Sequence, residues 1–233
     1  MPATLTTSEV RRRSLGQNVK VLVCLATIQT VFYMTMNHVQ WFPTRQLPLT
    51  AIDEWIPFWP WTVIPYFVLL LGGVVPVLLA RYDETIRRAI VAYAICIAII
   101  LPIFLFVPTL CRRPDLMTLP DRWDGQLFRW LAALDSPACA FPSLHIVLPT
   151  ICCWIAVVER HRYAVPFCLA ALVLSVTILT TKQHSVWDWC GGLLIACFAL
   201  WLSGRLTAGV PNCVSGVRAR RSFKTSQVPE TAS

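Results

Sequence analysis

Charge is what this chain has least of. Only 14% of its 233 residues are Asp, Glu, Lys or Arg, against about 25% in an ordinary soluble domain. With 56% hydrophobic residues there is too little polar surface to cover a globule in water, which excludes a soluble fold. Acidic residues are scarcer than basic ones, 12 against 20, so the net charge is +8. That excess lies between apolar runs, as topology-setting and headgroup-facing residues do, and nucleic acid is not implied as a partner. No CxxC pair at zinc-ligand spacing occurs, and no metal-ligand cluster or cofactor motif is legible. Most of the ten cysteines sit inside apolar runs (Cys24, Cys96, Cys152, Cys153, Cys168, Cys197), where Cys behaves as a small hydrophobe. A disulfide scaffold is thereby excluded.

What is present is a series of long apolar blocks, the mark of membrane spans. Six are read, at residues 19–36, 61–80, 89–107, 144–158, 163–180 and 186–202. The first is too long for a signal-peptide core and ends in Tyr33, Met34, Met36 and Asn37 rather than a small-residue cleavage site. The chain thus divides into an N-terminal tail (1–18), an all-α integral membrane domain of six transmembrane helices (19–202) and a basic, disordered tail (203–233). Residues 81–88 read as a charged turn and 108–143 as the longest interior loop. Six spans put both termini on one side. That side then holds fourteen of the twenty Lys and Arg residues, so the positive-inside rule makes the termini cytoplasmic. The 108–143 loop and the 181–185 turn face outward. The expected location is a bacterial inner membrane, with the site toward the periplasm. Cys111 and Cys139 both fall in the outward loop, and whether they pair stays open.

The chemistry concentrates between residues 140 and 192. His184 and Asp188 are four apart, which places them on one helical face. A carboxylate near a span is costly, and an imidazole one turn away compensates it. The carboxylate in turn fixes the ring tautomer and aims Nε2 at a substrate. His145 opens the fourth span and His184 precedes the sixth, so the topology brings both to one membrane face. Pro142 and Ser143 sit at a helix start, with Ser143 a good N-cap, where free amides favour a phosphate. Lys182 stands two residues before His184, and Arg112-Arg113-Pro114 follow the third span. Arginine forks match phosphate oxygens. Singly, each feature also fits a capping, snorkelling or solvated residue; together they point to a phosphate ester.

The order Arg-Pro, Pro-Ser-x-His, His-x3-Asp across residues 112–188 resembles the three-part signature of the type 2 phosphatidic acid phosphatase superfamily. The usual pattern is K-x6-R-P, P-S-G-H and S-R-x5-H-x3-D. The resemblance implies a six-span, haloperoxidase-like helical bundle with metal-independent chemistry. It implies His184 as the nucleophile forming a phosphohistidine, Asp188 as its orienting carboxylate, and His145 as proton donor to the leaving alcohol. Arg112, Arg113, Lys182 and the Ser143 region would hold the phosphate. The chain departs from the pattern at three places. Phe106 stands for the first lysine, Leu144 for the glycine, and Thr177-Ile178 for Ser-Arg. Pro-Ser-Leu-His with Thr-Lys-Gln-His is similar to the branch of inositol phosphorylceramide synthases and related sphingolipid headgroup transferases. The expected activity is hydrolysis of a lipid phosphate ester in the bilayer. The alternatives are headgroup transfer and, outside enzymes, anion or lipid binding or transport. Lipid identity, acceptor and oligomeric state are not legible.

Overall fold

The computed structural model describes residues 12–39 and 41–208; Arg11 and the tail beyond 208 lie outside the described residues. The first helix, α1, runs Leu15–His38. It opens in a capping box: Ser14 Oγ accepts from the Gln17 amide at 3.3 Å, and Gln17 Oε1 accepts from the Ser14 amide at 2.9 Å. Two of the first turn's free amides are so satisfied, and the helix starts inside the stretch expected to be tail. Both ends of α1 are anchored. Asn18 Nδ2 donates to the carbonyls of Leu78 (3.0 Å) and Ala80 (2.7 Å), and Arg13 pairs with Asp83 at 2.5 Å. At the other end, Asn37 Nδ2 donates to the carbonyls of Ser136 (3.0 Å) and Ala138 (2.9 Å). Between these anchors no residue of its apolar window is buried.

A short parallel pair, β1 (Arg45–Gln46) and β2 (Thr109–Leu110), ties two loops together. Helix α2 (Ala51–Trp55) is capped by Thr50 and Asp53. The second apolar run is broken into α3 (Val63–Gly72) and α4 (Val75–Leu78) at the Gly72-Gly73 pair, with proline in the first turn of α4. Helix α5 covers Asp83–Phe106, so residues expected as a charged turn are helical. Asp83 and Glu84 in its first turn suit the helix dipole, and the Arg88 guanidinium lies 4.7 Å over the Trp154 ring. The long loop also contains a helix, α6 (Trp123–Leu134), which buries Phe128 and Leu131 and leaves Trp123 and Trp130 exposed. Helix α7 spans Leu144–Val158, as expected. The fifth run forms α8 (Ala164–Ser175) and α9 (Thr177–Thr180), and α10 covers Val186–Leu206. It outlasts the apolar run because Ser203 is buried and Arg205 folds over Trp201 at 5.0 Å.

Helices α5, α7 and α10 form the centre. Their contacts use Ala92, Cys96, Val147, Cys152, Ala196 and Ala199, all fully buried. Small side chains let helix backbones approach where lipid removes the usual hydrophobic drive. The 159–162 turn is also packed: Glu159 accepts from the amides of Arg81 (2.7 Å) and Tyr82 (3.2 Å), and His161 Nε2 lies 3.3 Å from its carboxylate. His161 is therefore not the solvated residue its flanking arginines imply.

Among the described residues, four segments are long and apolar enough to cross a membrane: Leu15–His38, Pro60–Leu78, Asp83–Phe106 and Val186–Leu206. The apolar helices Leu144–Val158 and Ala164–Thr180 are shorter. Beneath the middle of α1 lies a cavity of about 410 Å³, walled by Leu25, Gln29, Leu70, Tyr93, Leu148 and Ile151 among others. One turn along three of those helices, toward the start of α7, stand Tyr33, Tyr66 and His145.

Candidate active site

The 181–188 segment is shaped by two local motifs. At the end of α9 the Gln183 amide donates to the Ile178 carbonyl at 3.0 Å and the Lys182 amide to the Leu179 carbonyl at 3.1 Å. This is the double closure of a Schellman turn. Lys182 occupies its left-handed position with φ 52°, where glycine is usual. Ser185 then caps α10: its hydroxyl accepts from the Asp188 amide at 3.4 Å, and Asp188 Oδ2 accepts from the Ser185 amide at 2.6 Å. The turn and the cap together fix the backbone on both sides of His184.

Asp188 faces His184 as the spacing predicts. Its Oδ2 lies 3.6 Å from His184 Nδ1, with the two side chains 1% and 5% exposed. At that distance the two attract electrostatically without a formed hydrogen bond. Among the described residues, His184 Nδ1 and Asp188 Oδ1 have no hydrogen-bond partner. The carboxylate thus serves two tasks, capping α10 and backing the imidazole, of which the sequence discloses the second more readily.

The His145 ring packs edge-on against His184, with centroids 5.2 Å apart at 61°. The Tyr66 hydroxyl lies 3.4 Å from His145 Nε2. Ser143 occupies the N-cap position of α7 but makes no side-chain cap. Its Oγ is buried without a partner among the described residues, which corrects the expectation of a capping hydroxyl. The Ser143 amide instead donates to the Asp188 carbonyl at 3.0 Å. Gly191 and Gly192 make this approach possible. A Cβ at Gly192 would meet the Ser143 carbonyl at 2.4 Å, and one at Gly191 the Phe141 ring at 2.5 Å.

The expected phosphate-binding residues divide. Arg113 enters the site, but its guanidinium is already held. It donates to the backbone carbonyl of Asp135, to Asp135 Oδ2 at 3.0 Å and to Gln183 Oε1 at 2.5 Å. Tyr33 donates to the other Asp135 oxygen at 2.7 Å. Lys182 points its ammonium at the carbonyls of Asp53 (2.7 Å) and Ile56 (2.6 Å), pinning the end of α2. Burial lowers its pKa from the ordinary lysine value, partly opposed by the Asp53 carboxylate. Arg112 is exposed and has no hydrogen bond or ion pair among the described residues. It lines, with Arg113, Lys182 and His184, an outer vestibule of about 400 Å³.

Four side chains at the site carry no strong sequence signal. Asp135, Tyr33 and Tyr66 reach it across long chain separations. Gln183 is distinguished only by standing next to His184. Asp53, which reads as a solvated or interfacial carboxylate, is buried and accepts from the Val186 amide at 2.8 Å. The Thr50-x-x-Asp53 box was its available signal. Cys111 and Cys139 are both free thiols. The first turns toward the Lys182 carbonyl (3.5 Å) and the second toward that of Met36 (3.1 Å).

Residues 58–202 match the family model described as the PAP2 superfamily. No curated protein and no solved structure matches the chain significantly.

Proposed function

The chain belongs to the PAP2 superfamily, and from that premise we propose that it is a six-span membrane enzyme that hydrolyses a lipid phosphate ester through a phosphohistidine. The observation that carries the reading is the facing pair. His145 and His184 stand 5.2 Å apart by ring centroid, and a buried carboxylate backs the second alone. A binding site needs positive charge but not one imidazole oriented by a carboxylate and another free of it. That asymmetry suits a nucleophile and a proton donor.

In the cycle, His184 Nε2 attacks phosphorus as the bond to the lipid oxygen breaks. Asp188 stabilises the growing imidazolium charge. His145 gives its proton to the departing oxygen, then takes one from water as water attacks the phosphohistidine. The products are a lipid alcohol and inorganic phosphate, with His184 regenerated. Arg113, the α7 amides and the Ser143 hydroxyl hold the phosphoryl oxygens, and this fixed polar environment supplies much of the acceleration. The cavity below the pair suits the lipid tail.

Six crossings include α7 and the α8–α9 pair. With 15 residues, α7 is about 22 Å long, short of a hydrocarbon core of about 30 Å. A site at its start would lie recessed beneath the membrane surface, under the α2 loop and α6. The distribution of Lys and Arg supports cytoplasmic termini and an outward-facing site.

Transfer to a lipid or polyol alcohol is the second reading. The vestibule of about 400 Å³ beside His184 leaves room for an acceptor larger than water. Phosphate release from phosphatidic acid and isoprenyl pyrophosphate by the detergent-purified protein tests the first reading, with His184→Ala as control. Release that the control loses supports hydrolysis. Turnover only on adding ceramide or diacylglycerol to a phosphatidylinositol donor supports transfer. Silence in every arm from folded protein overturns both.

A further inference from the structure

We propose that Gln183 is a phosphate-binding residue, whose side-chain amide nitrogen donates to the phosphoryl oxygens in place of the arginine missing from the third motif. The inference rests on the phosphoryl-transfer reading above and adds to it a residue that the motif does not supply. Gln183 is 2% exposed. Its amide orientation is set by its neighbour: Arg113 has only donors, so the atom 2.5 Å from its Nη2 is the oxygen. The amino group must then point elsewhere, and Gln183 Nε2 is buried with no partner among the described residues. The backbone offers no freedom to relieve it. The amides of Gln183 and of adjacent His184 both bond to the Ile178 carbonyl, at 3.0 and 3.2 Å.

The charge balance points the same way. Asp135 takes much of the Arg113 charge, and two backbone carbonyls take the Lys182 ammonium. Of the three expected cations, Arg112 is left unpaired among the described residues, so neutral donors add to the shell of a phosphoryl group at His184. Besides Arg113 Nε, two buried neutral groups within two residues of the histidines have hydrogens to give and no acceptor among the described residues: the Gln183 amide and the Ser143 hydroxyl. A tetrahedral oxyanion is the ligand class that accepts from both.

The test uses the full chain in detergent with orthovanadate as the probe. Binding is read as the vanadate-dependent rise in thermal midpoint and as inhibition of turnover. Gln183→Glu keeps an oxygen for Arg113 and loses the donors. Its midpoint without vanadate should stay near wild type, while vanadate affinity falls roughly tenfold or more, the scale of a hydrogen bond to a charged group. Affinity within about twofold of wild type overturns the proposal. Gln183→Met repeats the test without added charge, should the glutamate variant not fold. Its affinity falling alike supports the proposal, and its affinity holding overturns it. A folded wild type that neither binds vanadate nor turns over removes the phosphoryl-transfer reading itself. A wild type that binds vanadate beside variants that bind equally removes only the role of Gln183.

Discussion

The backbone amide of Ser143 donates to the backbone carbonyl of Asp188 at 3.0 Å. This bond ties the segment that opens α7 to the first turn of α10. The two histidines are held in register by main chain, so their spacing does not depend on flexible side chains.

That closeness predicts the effect of adding a methyl group. Gly192→Ala places a Cβ 2.4 Å from the Ser143 carbonyl and 3.1 Å from Ile146 Cβ, and neither backbone nor core can yield cheaply. The variant should lose about 1–3 kcal/mol of stability, the usual cost of overpacking, and most of its turnover. Gly72→Ala, with nothing within 4 Å of the new Cβ, should be near neutral in both. Thermal unfolding in detergent beside a turnover assay checks the pair.

Arg113 and Asp135, each 11% exposed, form a buried pair. Arg113→Ala leaves the Asp135 carboxylate with the Tyr33 hydroxyl as its one remaining side-chain donor among the described residues, and should cost about 3–5 kcal/mol. Adding Asp135→Asn removes the orphaned charge and should restore part of that stability without restoring activity. A double-mutant cycle read by both unfolding and turnover separates the two effects. Recovery of activity in the double variant would contradict a phosphate-binding role for Arg113.

Lys182 sits at φ 52°, where a side chain costs about 1–2 kcal/mol per residue. Lys182→Ala loses the ammonium contacts and keeps the strain. Lys182→Gly loses the same contacts and relieves it. The glycine variant should therefore be the more stable of the two by about 1 kcal/mol. Comparing their unfolding midpoints tests this, and equal midpoints would remove the strain argument.

Tyr66→Phe tests whether the hydroxyl 3.4 Å from His145 Nε2 tunes the proton donor. The expected result is a fall in kcat of roughly tenfold with KM little changed. Its pH profile should also shift on the limb assigned to His145. An unchanged profile would leave Tyr66 a packing residue.

Cys111 and Cys139 make a chemical prediction. Burial pushes each thiol up to about 12, with nearby carboxylates adding to it: Asp188 for Cys111 and Asp135 for Cys139. Both stay protonated at neutral pH, and the thiolate is the reactive form. Maleimide should spare them in the folded protein and label them after denaturation, followed by mass spectrometry of the two peptides. Labelling of either in the native state would contradict the burial described.

Much of the helical frame was legible in hydrophobic run length. Helix α7 has the expected bounds, and α10 begins where expected. Ends were misjudged where charged or polar residues continue a helix. Asp83 to Arg88 read as a turn because their charge masks a first helical turn that favours acids. The Ser14-x-x-Gln17 box before α1 was visible and outweighed by polarity around it. At the candidate site, the placing of His145, His184, Asp188 and Arg113 near one another was legible because each lies in a short motif. Asp135, Tyr33 and Tyr66 were not, because what gives them meaning is proximity across the chain: Arg113 to Asp135 spans 22 residues, Tyr66 to His145 spans 79, and Tyr33 to Asp135 spans 102. Lys182 was recognised and its direction was not, since a left-handed turn at a lysine has no sequence sign.

Helix α1 is fastened at its two ends, and midway Gln29 Oε1 accepts from the Tyr93 hydroxyl at 2.5 Å, while Leu25 and Gln29 wall one side of the cavity. On the proposed reading, the lipid chain enters this cavity from the bilayer beside α1. For such a catalyst the meaningful concentration is the mole fraction of substrate in the lipid surface. Rates should follow that fraction when vesicles are diluted with inert lipid, and should ignore the volume of buffer around them.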